Sequence, residues 1–155
     1  MSASPQDPSY GNCGHQQRIL PLEAATASID PQTVLIVDDD SVFRQLEARA
    51  LCKQGYKVLE ADCAAEALRL AGTTANLHLL LTDLNMPGTD GFELTRQFRA
   101  LHPRAPVLMV SNSLPPIQHS IESFDRFAML EKSSSFDELL EKVRLLLSEV
   151  TPLPF

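Results

Sequence analysis

From Thr33 onward, short unbroken apolar runs alternate with longer stretches in which apolar residues recur every three or four positions. The runs predict strands buried on both faces, and the stretches predict amphipathic helices. Val34–Val37 is the first run. A helix then starts at Ser41, with Val42, Phe43, Leu46 and Ala50 on one face, and ends near Gln54-Gly55 on a glycine stop. Tyr56–Leu59 predicts a second strand. Asp62 stands where it can cap the next helix, in which Ala64, Ala67, Leu68 and Ala71 keep helical spacing before Gly72. His78–Thr82 is a third strand and ends at Asp83. After the Met86-Pro87-Gly88 turn, a third helix begins near Asp90, buries Phe92, Leu94, Phe98 and Leu101, and is closed by Pro103. Val107–Val110 is a fourth strand ending at Ser111. Pro115 and Pro116 open a short fourth helix, where a missing N–H does least harm. Phe127–Leu130 is a fifth strand leading into Glu131-Lys132. In the last helix Phe136, Leu139, Leu140, Val143, Leu146, Leu147 and Val150 trace one stripe, behind a capping box from Ser135 to Glu138.

Five strands alternating with five helices predict an α/β fold, a doubly wound parallel sheet with right-handed crossovers and helices on both faces. At 155 residues the chain has room for one domain, placed at residues 32–150. Residues 1–31 mix Ser, Pro, Gly, Gln and Asn and predict a flexible N-terminal extension. Within it, Glu23–Ser28 is compatible with a short helix closed by Pro31, and a docking segment is the alternative to a disordered tail. Residues 151–155 form a C-terminal tail.

A net charge of -7 argues against direct nucleic-acid binding, which demands a basic surface. Cys13, Cys52 and Cys63 show no metal-ligand or CxxC spacing. They suit a reducing compartment, with Cys52 and Cys63 as small buried hydrophobes on helices. No window is apolar enough to span a membrane, and no secretory signal is apparent, so a cytoplasmic location is expected.

Chemistry gathers at the strand ends. In parallel α/β sheets ligands bind beyond the carboxyl ends of the strands. Those ends carry Asp38 and Asp39, Asp83, Ser111 and Lys132. Carboxylates so close repel one another unless a cation neutralises them, and oxygen donors with room for a phosphate oxygen suit magnesium. An aspartate among them can act as a nucleophile toward phosphorus, with a lysine and a hydroxyl meeting the charge on the transferred group.

These motifs carry a resemblance. Val37-Asp38-Asp39, the run from Asp83 to Gly91 (DLNMPGTDG), the serine closing VLMVS and the lysine of LEK are similar to those of the receiver domains of two-component response regulators. The resemblance spans about residues 33–150 and implies a five-stranded, flavodoxin-like (βα)5 fold with strand order 2-1-3-4-5. It implies Asp83 as the phosphoacceptor. Asp38, Asp39 and Asp83, with the backbone carbonyl of Asn85, would hold Mg2+ or Mn2+. Ser111 would be the switch hydroxyl and Lys132 the ion partner; Asp40 receives no role. It further implies a sensor histidine kinase or histidine phosphotransfer protein as donor, an unidentified downstream protein as target, and a homodimer through the last two helices as one assembly. The fold is then a signalling phosphoacceptor that assists its own phosphoryl transfer and hydrolysis, not an enzyme acting on a separate substrate.

Two positions depart from the family pattern. Ser133 follows the lysine where proline is usual, and a cis bond there would cost about 3 kcal/mol. Met129 stands where the family commonly has Tyr or Phe. These departures motivate a second reading, a degenerate receiver acting as a phosphorylation-independent protein-binding module. A phosphate-ester hydrolase ranks last, because Asn85 occupies the position where its second acid would be needed.

Overall fold

The computed structural model describes residues 30–114 and 126–148. The expected fourth helix after Pro115-Pro116, Val150, the tail at 151–155 and nearly all of the N-terminal extension lie outside the described residues.

Five strands, β1 (Thr33–Val37), β2 (Lys57–Ala61), β3 (Leu79–Asp83), β4 (Val107–Ser111) and β5 (Phe127–Glu131), form one sheet in the order β2-β1-β3-β4-β5. Every pairing is parallel. Four helices are described: α1 (Ser41–Lys53), α2 (Ala64–Thr73), α3 (Gly91–Leu101) and α4 (Phe136–Ser148). β1, β3 and β4 are buried along their whole length, as unbroken apolar runs require when helices cover both faces. The strands reach one or two residues beyond the apolar runs, because pairs such as Ile36↔Glu60 and Ser111↔Glu131 extend the ladder into polar sequence.

The two faces have separate cores. Leu35, Val37, Leu80 and Val107 pack under α2 and α3, with Phe98 and Leu94 as their largest helical partners. Val34, Ile36, Leu79, Leu81, Leu108 and Val110 pack under α1 and α4 through Ala48, Leu51, Leu139, Val143, Leu146 and Leu147. Because side chains alternate along a strand, Asp38 and Asp83 continue the second set and emerge on the α1–α4 side.

Four local expectations are corrected. The apolar face read for α1 is rotated: Val42 and Leu46 are exposed, and the buried positions are Glu47, Ala48 and Leu51. The sequence hid this because the buried stripe contains a glutamate and an arginine neighbour. The N-cap of α2 is Cys63, not Asp62, and its side chain makes no capping bond. Cys52 and Cys63 are both half-buried, so neither is the fully buried thiol expected. In α3, Leu94 and Phe98 are buried as read, whereas Leu101 is half exposed. The Ser135 cap of α4 holds, its hydroxyl accepting from the Glu138 N–H at 3.2 Å. Among the described residues no peptide bond is cis, so the Lys132-Ser133 bond is trans.

Candidate functional site: an acidic pocket at the strand ends

Each strand end is tied to its neighbour by a backbone bond beyond the regular ladder. Asp38 N–H donates to the Ala61 carbonyl at 3.1 Å, Leu84 N–H to Val110 at 3.2 Å and Lys132 N–H to Ser111 at 2.8 Å. The loops therefore leave the sheet in fixed directions. Gly91 closes the Asp83 loop from above. A Cβ there would lie 2.6 Å from the Asp83 carbonyl oxygen and 2.9 Å from the Leu84 Cα, so glycine is required for the close approach of α3.

The pocket is built around Asp38, Asp39 and Asp83, which offer carboxylate oxygens all within 4.8 Å of one another. Asp38 and Asp83 are buried and Asp39 is exposed, so the cluster opens to solvent on one side. Lys132 reaches in from the end of β5. Its Nζ lies 2.9 Å from Asp38 Oδ2 and 3.6 Å from Asp83 Oδ2, with the Phe43 ring 4.7 Å away. Burial pushes the Asp83 carboxyl above the usual range; the Lys132 charge opposes this and Asp38 adds to it. Burial works against the Lys132 ammonium, but its bond to Asp38 and the charges of Asp38, Asp83 and Glu47 outweigh that, and its pKa is raised. One ammonium thus faces more carboxylate than it can neutralise.

Ser111 is fully buried at the end of β4. Its hydroxyl donates to the Ser113 carbonyl at 3.1 Å and accepts from Asn85 Nδ2 at 3.3 Å. The Asn85 backbone N–H points at Asp83 Oδ1, at 3.4 Å. The structure thus brings Asp38, Asp39, Asp83, Asn85, Ser111 and Lys132 to one edge of the sheet. The Asp40 carboxylate serves as the N-cap of α1, accepting from the Val42 and Phe43 N–H groups at 3.0 and 3.2 Å, while the Asp40 N–H donates to Asp38 Oδ1 at 2.9 Å. Met129 pairs with Met109 across β4 and β5 and is half-buried.

Two residues of this neighbourhood were not singled out from the sequence. Arg44 donates from Nη1 to the Asp38 carbonyl at 2.7 Å and from Nε to Glu60 at 3.0 Å, holding the first acidic loop against β2. Glu47 is 2% exposed and is pushed up to about 9, by burial first and then by Asp38 and Asp83, with Lys132 opposing. Its signal was a carboxylate one turn beyond Phe43, on the face that meets the sheet.

The donor set fits a hard divalent cation. Three carboxylates offer oxygen ligands, they converge from two loops held in place by the sheet, and their mutual repulsion is what bound positive charge would relieve. Thiolate and imidazole donors, which softer metals prefer, are absent from the cluster among the described residues.

Comparison with known proteins follows the same lines. The profile of the family described as response regulator receiver domain matches residues 34–144. The response regulator MprA of Mycolicibacterium vanbaalenii is 33% identical over 124 residues, covering 79% of this chain and 53% of that protein. The sensor kinase CckA of Brucella abortus is 30% identical over 130 residues, 83% of this chain and 14% of the kinase. This chain thus spans about half the length of the MprA relatives it matches. Among solved structures, a CheY-like receiver from Methanospirillum hungatei superposes with a TM-score of 0.71 at 27% identity, covering 77% of this chain and 96% of that one. A response regulator from Burkholderia pseudomallei, described with a phosphorylated aspartic acid, a calcium ion and citrate, gives 0.67 at 27%, covering 77% and 70%. With the profile spanning most of the chain, and a sheet ordered β2-β1-β3-β4-β5 carrying acidic strand ends, this chain belongs to the receiver domains of two-component response regulators.

Proposed function

We propose that this receiver is a phosphorylation-activated switch in which Asp83 accepts a phosphoryl group from a phosphohistidine. The observation that carries the reading is the convergence of three carboxylates within 4.8 Å, two of them bridged by the buried Lys132 ammonium. The side chains of Asp38, Asp39 and Asp83, with the Asn85 carbonyl, would hold Mg2+ or Mn2+. The cation would supply positive charge to the phosphoryl oxygens and lower the repulsion among the carboxylates.

The remaining work falls to the chain itself. An ionised Asp83 oxygen attacks phosphorus; the P–N bond to the donor imidazole, protonated on its other ring nitrogen, breaks and its electron pair stays with the ring, leaving an aspartyl phosphate and neutral histidine. Lys132 turns from Asp83 toward the new phosphoryl oxygens, trading one anion for another. The Ser111 hydroxyl gives up its bond to the Ser113 carbonyl and donates to the same group. Movement of these two strand ends then reshapes the face built on β5 and α4, which passes the signal to a protein target. Asn85 and Ser113 flank the approach of the water that ends the signal. The domain on this reading is no enzyme for a separate substrate, and its donors are a sensor histidine kinase or a phosphotransfer protein. Support comes from the relatives' own descriptions: sensor kinases such as CckA and RcsC, and a neighbour with a phosphorylated aspartic acid. Direct nucleic-acid contact is not expected at a net charge of -7, and no described helix is long and apolar enough to cross a membrane.

A phosphate-independent binding module is the second reading, favoured by Met129 and Ser133. Titration with beryllofluoride and Mg2+, followed by NMR, separates the two. A saturable response lost in Asp83→Asn is expected; its absence in the wild type leaves the binding module.

A further inference from the structure

The loop from β1 to α1 presents two carboxylates to the pocket, and only one of them is held through its own side chain. Asp38 is buried, with Oδ1 accepting from the Asp40 N–H at 2.9 Å and Oδ2 facing Lys132 Nζ at 2.9 Å. Asp39 is exposed, and among the described residues its carboxylate makes no hydrogen bond. Its direction is therefore set by the backbone on either side. β1 secures only half of that backbone. Beyond Val37 the Asp38 N–H still donates to the Ala61 carbonyl of β2 at 3.1 Å, but the Asp38 carbonyl lies past the last residue pair of the ladder. The partner it finds is Arg44, one turn into α1, whose Nη1 donates to it at 2.7 Å. Arg44 Nε donates to Glu60 of β2 at 3.0 Å, and the arginine side chain is only 15% exposed. The planar guanidinium is thus fixed from two directions, spanning loop and strand. The Arg44 backbone adds a third tie, its N–H donating to the Asp40 carbonyl at 3.0 Å.

We infer that Arg44 is a positioning residue for the divalent cation: by holding the Asp38 carbonyl it fixes the Asp38–Asp39 peptide, and with it the aim of the Asp39 carboxylate into the acidic cluster. This rests on the proposed cation site. A peptide unit turns as one rigid plate, so rotating it about its flanking bonds redirects the side chain of the residue that follows. Fixing that plate before the cation arrives removes an ordering cost from binding. The tie also suits its place. Asp38 is 2% exposed, a carbonyl there without a donor would be costly, and a bond from a charged donor is stronger than one from a neutral group. A second role is open to an arginine here, that of a counter-charge neutralising the pocket, and it predicts the opposite response to removal. Taking a positive charge away from beside three carboxylates draws a cation in more strongly. Losing the anchor of the Asp39 peptide draws it in less. The sign of the change in affinity separates the two roles.

The test uses Arg44→Met, which removes both side-chain bonds, and Arg44→Lys, which keeps the charge but cannot span both acceptors. Mg2+ alone is the probe, titrated by calorimetry into the metal-free full chain. Arg44→Met should lower Mg2+ affinity about tenfold, the scale of a hydrogen bond to a charged group. Arg44→Lys should lower it about threefold, and it serves if Arg44→Met does not fold. In metal-free protein the Asp38 carbonyl 13C resonance should move to lower frequency in both variants, reporting the weakened bond apart from any metal. Unchanged or tighter Mg2+ binding in the variants that fold overturns the inference, even where the urea midpoint falls, because the arginine would then only brace the fold. An unmoved Asp38 carbonyl resonance overturns it too, and leaves the cation site intact. A wild type with no saturable Mg2+ binding, with that resonance still moving in the variants, overturns the cation site and the inference with it.

Discussion

Replacing Glu47 by glutamine should stabilise the fold by an amount that grows with pH. In the folded protein, burial first and the charges of Asp38 and Asp83 next raise this carboxyl from 4.5 to about 9. Between those values the folded chain holds a proton that the unfolded chain has released. The stabilising contribution of the neutral acid is therefore complete below about pH 4.5 and is lost as pH rises toward about 9. Each pH unit in that window costs about 1.4 kcal/mol, so the wild type carries roughly 3 kcal/mol of penalty at neutral pH relative to its acid limit. Glutamine has the same shape and no proton to gain, so the penalty disappears. Asp83, also raised by burial, contributes a slope of the same sign, but it is common to both proteins and cancels in their difference. The raised Lys132 group loses its contribution only in more alkaline solution. The chain contains no tryptophan, so urea unfolding is best followed by far-UV circular dichroism, in metal-free buffer from about pH 5 to about pH 8. A stability difference between the two proteins that is flat across this range, or that shrinks as pH rises, would refute the reasoning.

Asp83→Asn should abolish labelling by acetyl phosphate while leaving a fold at least as stable as the wild type, because a crowded, buried carboxylate is removed; incorporation of label at the normal rate would show the acceptor is misassigned. Gly91→Ala should cost about 1–3 kcal/mol in urea unfolding, since its Cβ has no room against the Asp83 carbonyl, and should displace the Asp83 loop. Asp40→Ala should cost about 1 kcal/mol through loss of the α1 cap yet leave Mg2+ affinity unchanged, as this carboxylate is spent on the Val42 and Phe43 N–H groups; a large loss of affinity would place Asp40 in the cation site.

Much of this molecule can be read directly from its residues. Unbroken runs such as Val34–Val37 and Val107–Val110 announce buried parallel strands, because only a strand covered on both faces needs no polar alternation. The carboxylates, serine and lysine that close those runs follow from the same pattern, since a parallel sheet delivers all its carboxyl ends to one edge. The Ser135 cap was legible too, being local chemistry within one turn of a helix.

What remained hidden was set by contacts between elements distant in sequence. Helical periodicity names a face but cannot say which of two overlapping faces wins. In α1 the exposed Val42 and Leu46 looked like core, and the buried Glu47 looked like surface, until α4 and the sheet closed around it. The cap of α2 passed from Asp62 to Cys63 for a similar reason: β2 runs on to Ala61, whose carbonyl takes the Asp38 N–H, and this moves the helix start by one residue. A linear sequence states which charges a chain carries. Only packing in three dimensions decides which of them lose their water, and it is that loss that sets the protonation of Glu47, the pairing of Lys132 and the strength of the acidic pocket.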